Sequence, residues 1–367
     1  MNVPKLRFKE FDDEWDYKIF DELINIKSES YNPSLNKENY KCIELEHINQ
    51  NTGTINGYCN SQDQKSNKNI FKKNEVLFGK LRPYLKKYWY ATFDGVCSSE
   101  IWVGKSKDQN IVTNKFIYDL FQSHYFLQLC NLSTGSKMPR ADWPFIKEQS
   151  IAIPNILEQK KISETLELLD KKIELQSKKV EDLKLFKKGL SNNIFNNMKD
   201  FKEYKLGDLC NITTGKLDAN AMVENGKYRF YTCAKEYSFI DEYSFDTEAL
   251  LISGNGAYVG YIHYYNGKFN AYQRTYVLDQ FSQNIQFIKC YLDENLSRRI
   301  KSEKKEGNTP YIVLSTLSDM IIKVPSKENQ RNISNIINYH QRKILLEQNK
   351  LNKLKELKKG LMQKMFV

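Results

Sequence analysis

The chain has 367 residues, enough for two domains of ordinary size, each with its own hydrophobic core. Its formal net charge of +11 favours a polyanionic partner. Seven scattered cysteines with no C-x-x-C pair exclude a disulfide framework or zinc knuckle and indicate reduced thiols in a cytosolic chain; the charged opening MNVPKLRFKEFDDEW is no signal peptide, and no run approaches 18 apolar residues, so no membrane span is expected.

In chain order, residues 1–152 read as a mixed strand-and-loop region rich in Tyr, Asn and Lys. The run EVLF from Glu75 has strand character and is followed by glycine, and 114–132 has helical spacing. Between them GKLRPYLKKYW, from Gly79, interleaves cations with aromatic rings. Lys80, Arg82, Tyr84, Lys86 and Lys87 are its candidates for DNA contact, joined by Lys137 and Arg140 on a loop that opens at Gly135. Lysine neutralises phosphate, and arginine can grip guanine O6 and N7 together.

Residues 153–199 read as one long helix. Its seam alternates at +4 and +3 through Ile162, Leu166, Leu169, Ile173, Gln176, Val180 and Leu183. Residues 200–322 form a second mixed region, in which ALLI from Ala249 and AYQRTYVL from Ala271 read as strands and 283–301 as a helix. Asn255, Tyr258, Gln273 and Arg274 are candidate contacts there, with Lys304, Lys305, Asn308 and Tyr311 on the closing loop. Asn and Gln suit adenine as Arg suits guanine, so the two regions are expected to prefer different bases. The plainer reading of each residue is a solvated cation or a core tyrosine.

Residues 323–367 read as a second long helix with the seam Ile333, Ile337, His340, Ile344, Glu347, Leu351 and Leu354. Gln176 and Glu347 interrupt the two seams at the same place, which fixes register. Strict phase puts Lys187 and Lys358 next in line, so a phase shift is expected beyond Leu183 and Leu354.

Segments 153–195 and 324–366 align without a gap, 171 positions apart, with about fifteen of 43 residues identical. The matches include Pro154 with Pro325, Gln159 with Gln330, and KKGL at both Lys187 and Lys358. A duplicated helix closing each half means two copies of one module. The mixed regions open alike (WDYKIFDELINIKS from Trp15, EYKLGDLCNITTGK from Glu203) and close alike (GSKMP from Gly135, GNTP from Gly307), yet share little between. The expected fold is therefore α+β, with two pseudo-symmetric mixed α/β domains separated by two long helices. An antiparallel coiled coil within the chain is the economical pairing, and a homodimeric coiled coil competes with it. The segment 323–367 carries +8 and 153–195 carries +2, which fits either a solvated face on an acidic partner helix or nucleic-acid contact.

Catalytic signatures are missing. GNGAYVG from Gly254 has the wrong spacing for a dinucleotide loop, and Ser99 stands where a phosphate loop ending at Ser106 needs its first glycine. Glu203 and Lys205 form an E-x-K without its preceding Asp, and His47, His124, His263 and His340 are isolated. Neither an amino-methyltransferase signature nor a helicase motif is present, so no chemistry, metal or cofactor is expected in this chain.

PKLRF from Pro4 with Trp15, LFGKLRPYLK from Leu77, FDGVCS from Phe93 and the duplicated Pro-x4-Gln-x2-Ile…Lys-Lys-Gly-Leu helices together resemble the specificity subunit of type I restriction–modification systems, over essentially the whole chain. The resemblance implies two target-recognition domains, 1–152 and 200–322, each reading one half of a split site on double-stranded DNA. It implies spacer helices, 153–199 and 323–367, that set the gap between half-sites. It further implies a non-catalytic subunit docking two methyltransferase subunits, which hold S-adenosylmethionine, and two restriction subunits, which use ATP and Mg, in the bacterial or archaeal cytoplasm beside the nucleoid. Half-sites about one helical turn apart are expected if both domains approach one face of the duplex. Two other readings stay open: a methyltransferase or nuclease with unrecognised motifs, and a coiled-coil scaffold that binds DNA without sequence preference.

Overall fold

The computed structural model describes residues 3–132, 138–303 and 311–366. Contacts divide the chain into two compact units, Met1–Ser177 with Asn349–Val367, and Lys178–Gln348. Each unit combines one mixed region with a stretch of both long helices.

In the first unit the strand Asp16–Ile19 pairs antiparallel with Ser150–Ile153, placing Tyr17 opposite Ala152. This ladder returns the end of the region to its beginning just before the long helix. A four-stranded sheet runs in the order Ile24–Asn25, Ile101–Ser106, Val76–Gly79, Tyr88–Tyr90. A five-stranded sheet runs Ser30–Tyr31, Lys68–Phe71, Gly95–Ser98, Lys41–Ile43, Cys59–Asn60. Val76–Gly79 is buried on both faces, which explains its unbroken apolar run: Val76 and Phe78 join the core around Phe116 and Phe126, while Leu77 joins Phe71 and Trp89. The helical span expected at 114–132 is two helices, Asn114–Gln122 and His124–Leu132. Ser123 between them is extended (φ −64, ψ 153), and its hydroxyl accepts the Phe126 N–H at 3.2 Å, starting the second helix afresh.

In the second unit Lys202–Lys205 pairs antiparallel with Ile321–Val324, repeating the ladder of the first. A six-stranded sheet follows the order Asn211–Thr214, Thr275–Asp279, Phe245–Ser253, Ile262–Ala271, Tyr228–Tyr231, Ser238–Ile240. Leu250, Ile252 and Leu278 pack with Phe287 and Leu292 of the helix Ile285–Glu303, and Tyr231, Leu251 and Phe269 form a separate core. The strand expected from Ala271 to Leu278 is interrupted by a turn. Thr275 N–H donates to the Tyr272 carbonyl at 2.8 Å, so the chain reverses through Gln273 and Arg274. Neither glycine nor proline marks that reversal, and the alternating pattern reads straight through it.

The long helices are Ile156–Asn196 and Lys327–Lys364. A buried glutamine seats the start of each, which accounts for the repeated Pro-x4-Gln. Gln159 donates to the Pro154 and Ile111 carbonyls at 2.9 and 2.8 Å and accepts the Thr113 N–H at 3.1 Å. Gln330 donates to the Pro325 carbonyl and to Gln283 Oε1, each at 2.9 Å, and accepts the Asn284 N–H at 3.1 Å. A buried amide whose polar atoms are all paired fixes the direction in which the helix leaves its region.

The helices pair antiparallel. In the second unit Lys179 meets Glu347 at 3.1 Å and Lys187 meets Gln341 at 2.9 Å, one number rising as the other falls. In the first unit the Lys358 ammonium reaches Asp170 at 2.6 Å and Gln122 Oε1 at 2.9 Å. Ile162, Leu166, Leu169, Val180, Ile337, Ile344, Glu347 and Leu351 are buried, while Ile173, Gln176, Leu183, Ile333, His340 and Leu354 are half-buried. The phase shift expected at Lys187 and Lys358 does not occur there. Both lysines stay half-buried in the seam, laying their stems along it and passing their charge to polar partners. The phase changes one turn later, at Ser191 and Met362, both buried.

Candidate nucleic-acid interface

After Val76–Gly79 the first unit makes a short turn, Pro83–Leu85, held between Arg82 (φ 52) and Lys86 (φ 50). Both are left-handed, a conformation that costs a residue with a side chain about 1–2 kcal/mol. Such strain persists where the surroundings over-determine the backbone. Here the Arg82 N–H donates to the Pro139 carbonyl at 2.8 Å and the Ala141 N–H to the Lys80 carbonyl at 2.9 Å, with Leu81 opposite Arg140 in an isolated bridge. Two segments more than fifty residues apart are thus laced into one loop cluster.

The lacing gathers Lys80, Arg82, Tyr84, Lys86 and Arg140. Arg82, Lys86 and Tyr84, the last 53% exposed, face solvent, and Lys80 is half-buried. Arg140 holds the Glu100 carboxylate with two bonds of 3.1 Å, and that carboxylate raises its pKa. Lys87 turns inward instead: its ammonium donates to the Leu45 carbonyl, and burial lowers its pKa. Lys137 lies outside the described residues.

The second unit repeats the arrangement with other side chains. Asn255 stands opposite Tyr311 in an isolated bridge, and the Ile312 N–H donates to the Gly254 carbonyl at 2.7 Å. Gly254 N–H donates in turn to the Arg274 carbonyl at 2.9 Å, an approach so close that a Cβ on residue 254 would lie 2.4 Å from that oxygen. Gln273 and Arg274 are exposed on the hairpin turn, Tyr311 is 60% exposed, and Asn255 is half-buried. Tyr258 is exposed, with the Lys235 ammonium 5.2 Å from its ring centroid. Lys304, Lys305 and Asn308 lie outside the described residues.

Each unit also holds a cation against two rings that no linear pattern reveals. Lys41 Nζ lies 4.7 Å from the Tyr58 centroid and 4.6 Å from that of Phe93. Arg229 Cζ lies 4.3 Å from Tyr237 and 4.5 Å from Tyr265. The rings are 8 to 52 residues away along the chain, and only sheet pairing brings them together.

The geometry gathers cations, amides and aromatic rings on exposed loops of both units. Burial pushes the thiols of Cys42, Cys97, Cys130 and Cys290 up, away from ready nucleophilicity. Among the described residues no group of His, Cys, Asp and Glu could hold a metal ion, and no helix is long and apolar enough to cross a membrane.

The profile of the type I restriction modification DNA specificity domain matches residues 12–185 and again 198–356. Over 131 residues the chain is 40% identical to the type I restriction enzyme EcoDI specificity subunit of Escherichia coli, covering 36% of this chain and 29% of that one. Over 144 residues it is 28% identical to a putative type I specificity subunit of Mycoplasma pneumoniae, covering 37% of this chain and 39% of its relative. The chain thus spans about a third of the length of these curated relatives. Likeness of fold reaches further. The crystal structure of a type I restriction–modification S subunit from M. genitalium is similar with a TM-score of 0.70 at 20% identity, over 100% of this chain and 99% of that one. A chain from a structure concerned with assembly and conformational transition of the type I system gives a TM-score of 0.59 at 17% identity, over 95% and 96% of the two chains. With two matched domains taking in most of its sequence, each running into a long helix, the chain belongs to the family of type I restriction modification DNA specificity domains.

Proposed function

We propose that this chain is the specificity subunit of a type I restriction–modification system, a non-catalytic protein that reads a two-part site on double-stranded DNA. The observation that carries the reading is the repeated lacing of a cation- and ring-bearing loop onto the closing loop, through Leu81 and Arg140 in one unit and Asn255 and Tyr311 in the other. One scaffold carries two chemically different surfaces: Lys, Arg and Tyr in the first, Asn, Gln, Arg and Tyr in the second. Lysines there neutralise phosphates and set position, while Arg, Asn and Gln read base edges. In this reading 1–152 and 200–322 are the recognition domains, and the helices of 153–199 and 323–367 space them. The same helices dock two methyltransferase and two restriction subunits, which bring S-adenosylmethionine and ATP with Mg. The complex works in the cytoplasm, on the nucleoid.

The test is a genome-wide map of methylated adenine in the source cell with and without this gene. Loss of methylation at one split motif is the expected result. An unchanged map, with no methyltransferase recovered on the chain purified from those cells, contradicts the proposal.

A further inference from the structure

Three cations lie against two rings each; Lys115, over Tyr90 and Tyr118, is paired with Glu167 at 3.5 Å, whereas Lys41 and Arg229 sit at equivalent places in their sheets. Lys41 begins a strand that runs parallel to Gly95–Ser98 and antiparallel to Cys59–Asn60. Arg229 lies on a strand parallel to Ile262–Ala271 and antiparallel to Ser238–Ile240. Asn60 stands opposite Lys41, and Phe239 stands opposite Arg229. Tyr58 and Tyr237, each two residues before that partner, are therefore the same diagonal neighbour on the same face. The second ring comes in both cases from the stretch before the parallel pairing, Phe93 ahead of Gly95 and Tyr265 ahead of Phe269. The mixed regions share little sequence between their ends, so recurrence of a cation and its diagonal ring at one ladder position, with a second ring two or four residues ahead of the parallel partner, calls for a common task.

The clamp also defines what each cation can offer. Two rings lie against each cation, and those beside Lys41 also meet each other edge to face with centroids 6.2 Å apart, so the cation rests on a ring pair with its other side open. Among the described residues neither cation pairs with a carboxylate; Arg229 Nη1 has the Tyr231 hydroxyl at 3.4 Å. Both clamps adjoin the loop clusters. The strand bearing Lys41 leads to Leu45, whose carbonyl takes the Lys87 ammonium. The strand bearing Arg229 leads to Cys233, whose thiol donates to the Arg274 carbonyl at 3.3 Å, and to Lys235, which caps Tyr258.

We propose that Lys41 and Arg229 are paired base-reading positions, one in each unit, and that each contacts the major-groove edge of a guanine. The inference rests on the DNA-reading function proposed above. Guanine presents two adjacent acceptors, O6 and N7, to which the arginine fork delivers two N–H groups and the lysine ammonium its several donors. A side chain resting on two rings is biased away from a neighbouring phosphate, so it contributes to selectivity more than to overall affinity.

The experiment selects duplexes from a randomised library on the full-length wild-type chain and on its Lys41→Met and Arg229→Met variants. Methionine keeps an apolar stem against the rings and removes the donors. Thermal melts of each protein accompany the selection, and Lys41→Gln or Arg229→Gln serves where a methionine variant does not fold, its amide suiting adenine in place of guanine. Wild type should yield a two-part motif with a G·C pair in each part. Each variant should lose discrimination roughly ten- to hundredfold at one position of one part, and the two variants should affect different parts. The dependence of binding on salt should stay as it is. Weakening that is uniform across sequences, with a salt slope reduced by about one, identifies a phosphate contact and overturns the inference. An unchanged motif overturns it too, as a clamp that only stabilises the sheet. A wild-type chain that selects no motif overturns the DNA-reading function itself, a result distinct from the other two.

Discussion

Asp119 imposes a cost on the first unit that its counterpart spares the second. It is 1% exposed, and neither its Oδ2 nor the Ser163 hydroxyl has a hydrogen-bond partner among the described residues. Burial pushes its pKa up to about 7. Below about pH 4 the carboxyl holds its proton in folded and unfolded chain alike, and no penalty arises. Between about pH 4 and 7 only the unfolded chain ionises, so stability falls as pH rises; above that range the full penalty stands, at most about 4 kcal/mol. Asp119→Asn should therefore raise the melting temperature of the unit more at pH 8 than at pH 5, measured by circular dichroism. A gain equal at both pH values contradicts the assignment. The residue 171 positions on is Cys290, a buried neutral thiol at the equivalent turn of its helix. Residue identity in the loop cluster was legible because Lys80 to Lys86 are contiguous. The inward turn of Lys87 was not, since no sequence pattern says which carbonyl lacks a donor.

At the scale of elements, the long helices were the most legible part of the chain. Their +4/+3 spacing falls on the buried stripe from Ile162 to Leu183 and from Ile333 to Leu354. The pattern failed where it counted a lysine as an outside residue, because Lys187 and Lys358 bury their stems and satisfy their charge through Gln341 and Asp170. The break at Ser123 and the turn at Tyr272 to Thr275 were also hidden, each made by one local hydrogen bond without glycine or proline. The cation clamps were illegible altogether, since their members meet only across strands. If the helices are the spacer, inserting one turn within 170–185, matched in the facing stretch of the second helix, should alter the permitted gap between half-sites and leave both half-sequences unchanged. Motif mapping by adenine methylation reads this directly, and an unchanged gap sinks the spacer role.

At the scale of the whole molecule, two copies of one module have kept their frames and parted in their surfaces. Independence of the two surfaces is measurable. Replacing residues 1–152 by the corresponding region of another family member should change one half-site and leave the other as it was. A change in both contradicts separate reading by the two regions. Gln159 shows why such an exchange can succeed. Its side-chain hydrogen bonds all go to main-chain atoms, the carbonyls of Ile111 and Pro154 and the N–H of Thr113. Gln330 adds a single side-chain partner, Gln283. A clasp that grips backbone is blind to the side chains beyond it. At the clasp itself an incoming region is held to a backbone path and not to a sequence; its side chains are tested where they pack on the helices, as Phe116 does on Phe366 and Gln122 on Lys358.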